Sequence, residues 1–69
     1  MDIRKKFGKH LRALREERGW SQEEFADRAG LHRTYVSAVE RGVRNPTLSV
    51  LERLAKALGV SMAELVQAI

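Results

Sequence analysis

Cysteine is absent from this sequence of 69 residues, and proline occurs only once. Without cysteine the chain can have neither a disulfide framework nor a thiolate metal site, and a reducing compartment is its natural setting. The first twenty residues also lack a long apolar run, because Arg4, Lys5, Lys6 and Lys9 interrupt it. Signal peptides and membrane spans require such a run. We therefore expect a cytoplasmic protein with no membrane partner.

The residues that build enzyme and metal sites are scarce as well. The chain has two histidines, His10 and His32. Neither stands at a helical spacing from clustered carboxylates or a nucleophile, as a metal site or a catalytic triad would need. A glycine-rich phosphate loop is also missing. The sequence thus predicts no enzymatic activity, no metal, no cofactor and no evident small-molecule effector.

The chain instead carries a modest excess of positive charge. Thirteen basic and nine acidic residues give a net charge of +4 and a pI near 10.1. This pI exceeds the value of about 9 above which a nucleic-acid partner is suspected, although many solvated domains are mildly basic. We expect one domain over residues 1–69, with a core so small that pairing with a second subunit would add stability.

Apolar residues recur at helical spacing between the glycines, and no segment alternates as a half-buried strand does. Ile3, Phe7, Leu11 and Leu14 form one stripe along a first helix. Gly8 interrupts this stripe, so either another backbone packs closely there or the first turns fray. The pattern predicts an all-helical chain.

Serine followed three residues later by glutamate, with an apolar residue on each side, is typical of a capping box with a hydrophobic staple, and this combination occurs twice. Ser21 and Glu24 start the second helix, and Ser61 and Glu64 start the fifth. Thr47 caps the fourth helix, over residues 48–58. The residues of that helix predicted to face inward are Leu48, Leu51, Leu54, Ala55 and Leu58.

The third helix, roughly His32 to Arg41, follows the second after only Gly30 and Leu31. Two short helices joined by a tight glycine-containing turn form a helix-turn-helix, here over about residues 21–41. The second helix of such a unit can enter the major groove of DNA. This arrangement favours double-stranded DNA as the partner.

The outward face of the third helix carries short hydrogen-bonding side chains, whereas Val36 and Val39 point to the core. Arginine can fork onto guanine, hydroxyls can bond several base edges, and methyl groups can touch thymine. Any surface helix can also carry these residue types. The candidates for base reading are Arg33, Thr34, Ser37 and Ala38.

Phosphate contacts are expected around this helix. Gln22 opens the second helix, where free amides favour an anion, although it could be an ordinary first-turn residue. Arg44 and Asn45 lie on a loop stiffened by proline, and Arg41 ends the third helix. The hydroxyl of Tyr35 could reach a phosphate, or its ring could simply pack.

Glu40 is expected at the edge of the core because it follows Val36 by four residues. A buried carboxylate needs a partner. Arg15 follows Leu11 by four residues on the first helix and can supply a bidentate guanidinium. We predict a structural ion pair between Arg15 and Glu40.

A homodimer is predicted from the helices at residues 48–58 and 62–68. The fifth helix has an apolar stripe that so short a chain would not fully cover, although the stripe could also just close the core. A two-fold dimer would place the third helices about 34 Å apart and require a near-palindromic site. The stripe consists of Met62, Leu65, Val66 and Ile69.

Five segments of the chain carry a family pattern: Ser21–Ala26, Ala29–Leu31, Val36–Ser37, Val39–Gly42 and Leu54–Val60. Together they resemble the Cro/CI family, also called xenobiotic-response-element-like regulators. The resemblance implies an all-α fold, a compact five-helix bundle of the lambda-repressor-like DNA-binding domain type with a central helix-turn-helix. In phage repressors of this family, the glutamine at the start of the second helix contacts phosphate and the early outward residues of the third helix read bases.

Within that family, the stretch Leu31–Ser37, with Arg41, Arg44, Asn45 and Thr47, most resembles the controller proteins of restriction-modification systems. This narrower resemblance implies a homodimer that binds a near-palindromic operator. The alternative is an antitoxin-like or other protein-binding helix-turn-helix module, of which an apolar third helix would be typical.

Overall fold

The computed structural model describes residues 2–67. Within that range the chain forms five α-helices and no strand, as the sequence predicts. None of the helices within residues 2–67 has the length and apolar composition of a membrane span. The helices are α1 (Ile3–Glu17), α2 (Gln22–Ala29), α3 (Arg33–Glu40), α4 (Leu48–Leu58) and α5 (Met62–Val66).

Side-chain caps set the beginnings of these helices. Ser21, Thr47 and Ser61 each accept a hydrogen bond from the backbone N–H three residues on. At α5 the capping box is complete, and the hydrogen bonds from Ser61 lower the pKa of the Glu64 carboxyl below its ordinary value.

The capping box predicted at the start of α2 is only half formed. Ser21 accepts from the Glu24 backbone, but the Glu24 carboxylate binds Arg28 at 2.9 Å instead of reaching back to Ser21. The Arg28 guanidinium in turn lies over the Trp20 ring, 4.4 Å from its centroid. The Glu24 carboxylate thus forms an ion pair one helical turn further along α2 instead of accepting from the Ser21 backbone N–H, and Arg28 adds a cation–π contact.

All five helices contribute side chains to one hydrophobic core. Phe25, Leu11, Leu54 and Leu65 are its largest fully buried members. The Arg18 side chain links α1 to the end of α4, because its Nη2 and Nε donate to the Leu58 carbonyl at 2.7 and 3.1 Å. That carbonyl belongs to the last turn of α4, where the helix itself supplies no donor.

Gly8 lets α1 approach α3 closely. The carbonyl oxygens of Val39 and Glu40 occupy the space that a Cβ at this position would need. Of the two possibilities that the sequence leaves open, the structure therefore has the close backbone approach, since Gly8 is buried inside α1. This approach fixes the distance between the first helix and the helix that follows the turn.

Two apolar residues expected on inward faces are exposed. Leu48 is 76% exposed and Ile3 is 61% exposed. Both stand at the first position of a helix, and each lines a surface depression, Ile3 with Val66 and Leu48 with Met62. The prediction of an inward-facing Leu48 is therefore wrong, and α4 begins with an uncovered apolar side chain.

Candidate nucleic-acid interface

A tight left-handed turn joins α2 to α3. Gly30 has φ 69° and ψ 34°, and the Leu31 amide returns to the Ala26 carbonyl at 2.8 Å. Glycine adopts this conformation without a Cβ penalty. Because only Leu31 and His32 follow before α3 begins, the two helices form the predicted helix-turn-helix.

His32 caps the first turn of α3 and engages the neighbouring Thr34. Its Nδ1 accepts from the Thr34 backbone N–H at 3.1 Å and lies 2.7 Å from the Thr34 hydroxyl. Because Nδ1 is an acceptor in the first contact, it carries no proton and the hydroxyl must donate in the second. The Thr34 hydroxyl oxygen therefore keeps lone pairs to accept a further hydrogen bond, and its methyl group stays available.

α3 separates apolar from polar residues as its sequence predicts. Val36 and Val39 are buried, Arg33 and Thr34 are exposed, and Ser37 and Ala38 are half-buried. The side chains at the outer surface are small or can donate and accept hydrogen bonds. These are the properties that contact with base edges in a major groove requires.

The start of α2 and the outward face of α3 share one shallow depression, which we call the concave surface. It brings together residues predicted to read bases and residues predicted to bind phosphate. Its lining residues are Gln22, Arg33, Thr34, Ser37 and Arg41.

The structure places Arg15 and Glu40 in direct contact beneath this surface. Arg15 Nε and Nη2 donate to the two Glu40 carboxylate oxygens at 2.7 and 3.0 Å. The side chains are only 10% and 2% exposed. The hydrogen bonds to Glu40 raise the pKa of the Arg15 guanidinium above its ordinary value, so this group stays charged.

Two further groups complete this buried ion pair. Arg15 Nη1 donates to the Trp20 carbonyl at 2.8 Å, and Gln22 Nε2 donates to Glu40 Oε1 at 3.0 Å. Within residues 2–67, every buried side-chain nitrogen and oxygen has a hydrogen-bond partner. The carboxylate thus orients the Gln22 side chain at the N-terminus of α2, and among residues 2–67 the second N–H of its amide has no acceptor.

An ion pair that the sequence did not suggest holds the first residue of α3. Arg33 Nη1 donates to Glu23 Oε2 at 3.1 Å. The two residues lie ten positions apart on different helices. They meet because the turn at Gly30 brings the start of α3 beside the start of α2.

The loop after α3 places one cation on an aromatic ring. The Arg44 guanidinium lies 5.0 Å from the centroid of Tyr35, so this ring packs against a charge while Arg44 itself stays exposed. Arg41 is exposed, and its Nε donates to the Ser37 carbonyl at 3.3 Å. Asn45 lies away from the concave surface, in a depression that also includes Ile3.

The apolar stripe of α5 divides between the core and the surface. Leu65 is fully buried within its own chain, so its assignment to a dimer interface is wrong. Met62 and Val66 are half-buried, and Ile69 lies outside the described residues. Met62 and the exposed Leu48 line the same depression. This part of the surface is therefore formed by α5 and the start of α4.

A helix-turn-helix with a polar outward face on its second helix defines a class of DNA-binding proteins. A family model described as "Helix-turn-helix" matches residues 11–65 of this chain. The chain therefore belongs to this helix-turn-helix family of Cro/CI type and is a DNA-binding transcriptional regulator. The family is one of transcription regulators and not of enzymes.

Similar proteins include regulators and controller proteins. An HTH-type transcriptional regulator, y4dJ of Sinorhizobium fredii, is 52% identical over 66 residues, which are 96% of this chain and 86% of that protein. Control protein C.SmaI of Serratia marcescens is 48% identical over 65 residues, covering 94% and 77%. The crystal structure of the restriction-modification controller protein C.AhdI of Aeromonas hydrophila superimposes with a TM-score of 0.87 at 48% identity, covering 90% of each chain.

Proposed function

We propose that this protein acts as a homodimer on a near-palindromic operator, as a restriction-modification controller. The observation that carries the sequence-specific binding is the concave surface, where Gln22 at the start of α2 adjoins the outward side chains of α3. A phosphate-binding helix end beside base-reading side chains is what a helix-turn-helix needs to fix its register on a duplex. Two of the similar proteins, C.SmaI and C.AhdI, are called control or controller proteins, which supports the narrower role.

Base reading falls to the outward residues of α3. Arg33 forks onto the O6 and N7 atoms of a guanine, and Ser37 bonds a neighbouring base edge. Thr34 offers an acceptor oxygen together with a methyl group, because its hydroxyl proton is held by His32. Ala38 contacts a thymine methyl group.

We assign phosphate binding to groups on α2, on α3 and on the loop after α3, which set the position of α3 in the groove. Gln22 offers its remaining amide N–H and its own backbone N–H in the first turn of α2, where helix ends bind anions. Tyr35 and Arg44 lie together, so that a hydroxyl and a guanidinium can bind the same strand. The assigned residues are Gln22, Tyr35, Arg41, Arg44 and Asn45.

The dimer face consists of Leu48, Met62 and Val66. Leu48 is the most exposed large apolar residue of the described range and shares a depression with Met62. Exposed apolar patches of this kind mark partner surfaces, and a two-fold axis through one would bring together the same patch of both subunits. Two copies of α3 would then lie about one turn of duplex apart, or roughly 34 Å.

The division between base reading and phosphate binding is tested by two arginine variants. Arg33→Ala should weaken binding to the best duplex by about 1–3 kcal/mol and remove the preference at one base pair. Arg44→Ala should weaken binding to all sequences alike and reduce the salt dependence of binding by the amount that about one phosphate contact contributes. Fluorescence anisotropy on duplexes with single base-pair changes measures both effects. If Arg33→Ala kept every base preference, base reading would not lie at the start of α3.

A further inference from the structure

The ion pair between Glu23 and Arg33 stands at the edge of the concave surface. The Glu23 and Arg33 side chains are 66% and 65% exposed. An ion pair this exposed contributes little to folding stability, because water screens it and the two side chains lose conformational freedom. The ion pair matters for its position and not for its strength, because Arg33 is the residue best suited to read guanine.

The contact occupies only part of the Arg33 guanidinium. Nη1 donates to Glu23, and among residues 2–67 the guanidinium makes no other hydrogen bond. Nε and Nη2 form a second donor edge, and two N–H groups on one edge match the O6 and N7 acceptors of guanine. Arg33 can therefore hold Glu23 and a guanine at the same time, with one group on each edge.

Glu23 has a defined position at the start of α2. It lies in the first turn of α2, where Ser21 caps the backbone, and the helix dipole favours its negative charge. An arginine tethered to such a group loses less side-chain entropy when it binds a base than an unrestrained one does. The carboxylate also offsets the charge by which Arg33 would bind any phosphate.

We propose that Glu23 is a positioning residue that determines specificity, holding the Arg33 guanidinium so that Nε and Nη2 fork onto a guanine. Without Glu23, Arg33 would still be cationic but would bind backbone phosphates and other bases more readily. Glu23 thus raises the ratio of specific to nonspecific affinity. The inference rests on the proposed base reading by Arg33.

The neighbouring Glu24 provides a matched control. It lies on the same turn of α2, but its carboxylate pairs with Arg28 at 2.9 Å, and Arg28 lies over Trp20. Glu23→Gln and Glu24→Gln both remove one negative charge from the start of α2. Because the Glu24 carboxylate pairs with Arg28 and not with Arg33, a loss of discrimination at the Arg33 base pair in Glu23→Gln alone reports the contact with Arg33.

The experiment measures affinity by fluorescence anisotropy for a selected duplex, for a scrambled duplex, and for duplexes changed at the base pair that Arg33→Ala identifies. Both glutamine variants should bind scrambled DNA somewhat more tightly, because each adds to the net positive charge. Only Glu23→Gln should reduce discrimination at the Arg33 base pair, by about fivefold, the upper range for an exposed ion pair. Equal discrimination in both variants would overturn the proposal.

A double variant separates positioning from direct contact with a base. In an Arg33→Ala background, Glu23→Gln should leave base preferences unchanged, because there is no guanidinium left to position. If Glu23→Gln still altered a base preference there, Glu23 would itself accept from a cytosine amino group, and the positioning role would be wrong. Failure of the proposed function looks different, since the unmodified protein would then show no base preference at all.

Discussion

Substitution of Arg15 by methionine is expected to lower the free energy of unfolding by about 3–5 kcal/mol. The reason is the carboxylate left behind, since the Glu40 side chain is 2% exposed and, among residues 2–67, would keep only the hydrogen bond from Gln22. Urea unfolding followed by the fluorescence of Trp20, the only tryptophan, measures the change. Arg12→Met is the matched control, because Arg12 pairs with Glu16 on an exposed face of the same helix and should change stability by about 0.5 kcal/mol or less.

The double variant Arg15→Met with Glu40→Leu keeps this prediction measurable even if the single variant does not fold. Removing both charges also removes the desolvation penalty, so the double variant should be more stable than Arg15→Met alone. A double variant as unstable as the sum of both single variants would show that Arg15 and Glu40 act independently. The ion pair would then not be the unit that holds α3 against α1.

Leu48→Asp is expected to convert a dimer into monomers and to weaken operator binding by about a hundredfold or more. A separate monomer then binds each half-site, so the gain in affinity from linking two binding events is lost. The folded chain should tolerate this substitution, because Leu48 is 76% exposed. Leu48 is also the first residue of α4, where the helix dipole stabilises a negative charge. Sedimentation equilibrium gives the oligomeric state, and circular dichroism shows that the variant is folded.

Val43→Asp serves as the control for the oligomeric state. Val43 is also exposed, at 58%, but it lies in the loop after α3 and outside the proposed dimer face. It should leave the oligomeric state unchanged. A dimer that survives Leu48→Asp would move the interface away from α4 and α5. Leu65, in contrast, is unsuitable for this test, because it is fully buried and a charge there would unfold the chain.

The helix boundaries could be predicted because they depend on local chemistry. Ser21, Thr47 and Ser61 hydrogen-bond the backbone within one turn. Gly30 and Gly59 have φ values of 69° and 72°, which end α2 and α4 in the left-handed region. These signals lie within a few residues of the position that they determine, so the sequence contains them directly.

Burial could be predicted only in part. Met62, Leu65 and Val66 form one stripe by spacing, but spacing does not tell which member contacts the chain's own core. Leu65 is fully buried, while Met62 and Val66 are half-buried. Leu48 likewise has the spacing of a core residue, but it is exposed at the first position of α4. The extent of each interface depends on tertiary contacts that periodicity does not describe.

The side-chain contacts of the candidate interface show the same limit. Arg15 and Glu40 could be paired in advance because each stands at the edge of an apolar stripe. Gln22 as a third member of that cluster, and Glu23 beside Arg33, could not, since both depend on the angle between α2 and α3. A signal for them would be a carboxylate or amide on the first turn of α2 together with a cation at the start of α3.

The most direct test of a sequence-specific dimeric regulator is selection of binding sites from a random duplex pool with purified protein near physiological salt. The selected duplex is then titrated against a scrambled one. We predict an enriched near-palindrome whose half-sites lie one helical turn apart, bound about a thousandfold or more tightly than scrambled DNA. No enrichment, with only weak and steeply salt-dependent binding, would contradict this prediction and indicate a protein as the partner.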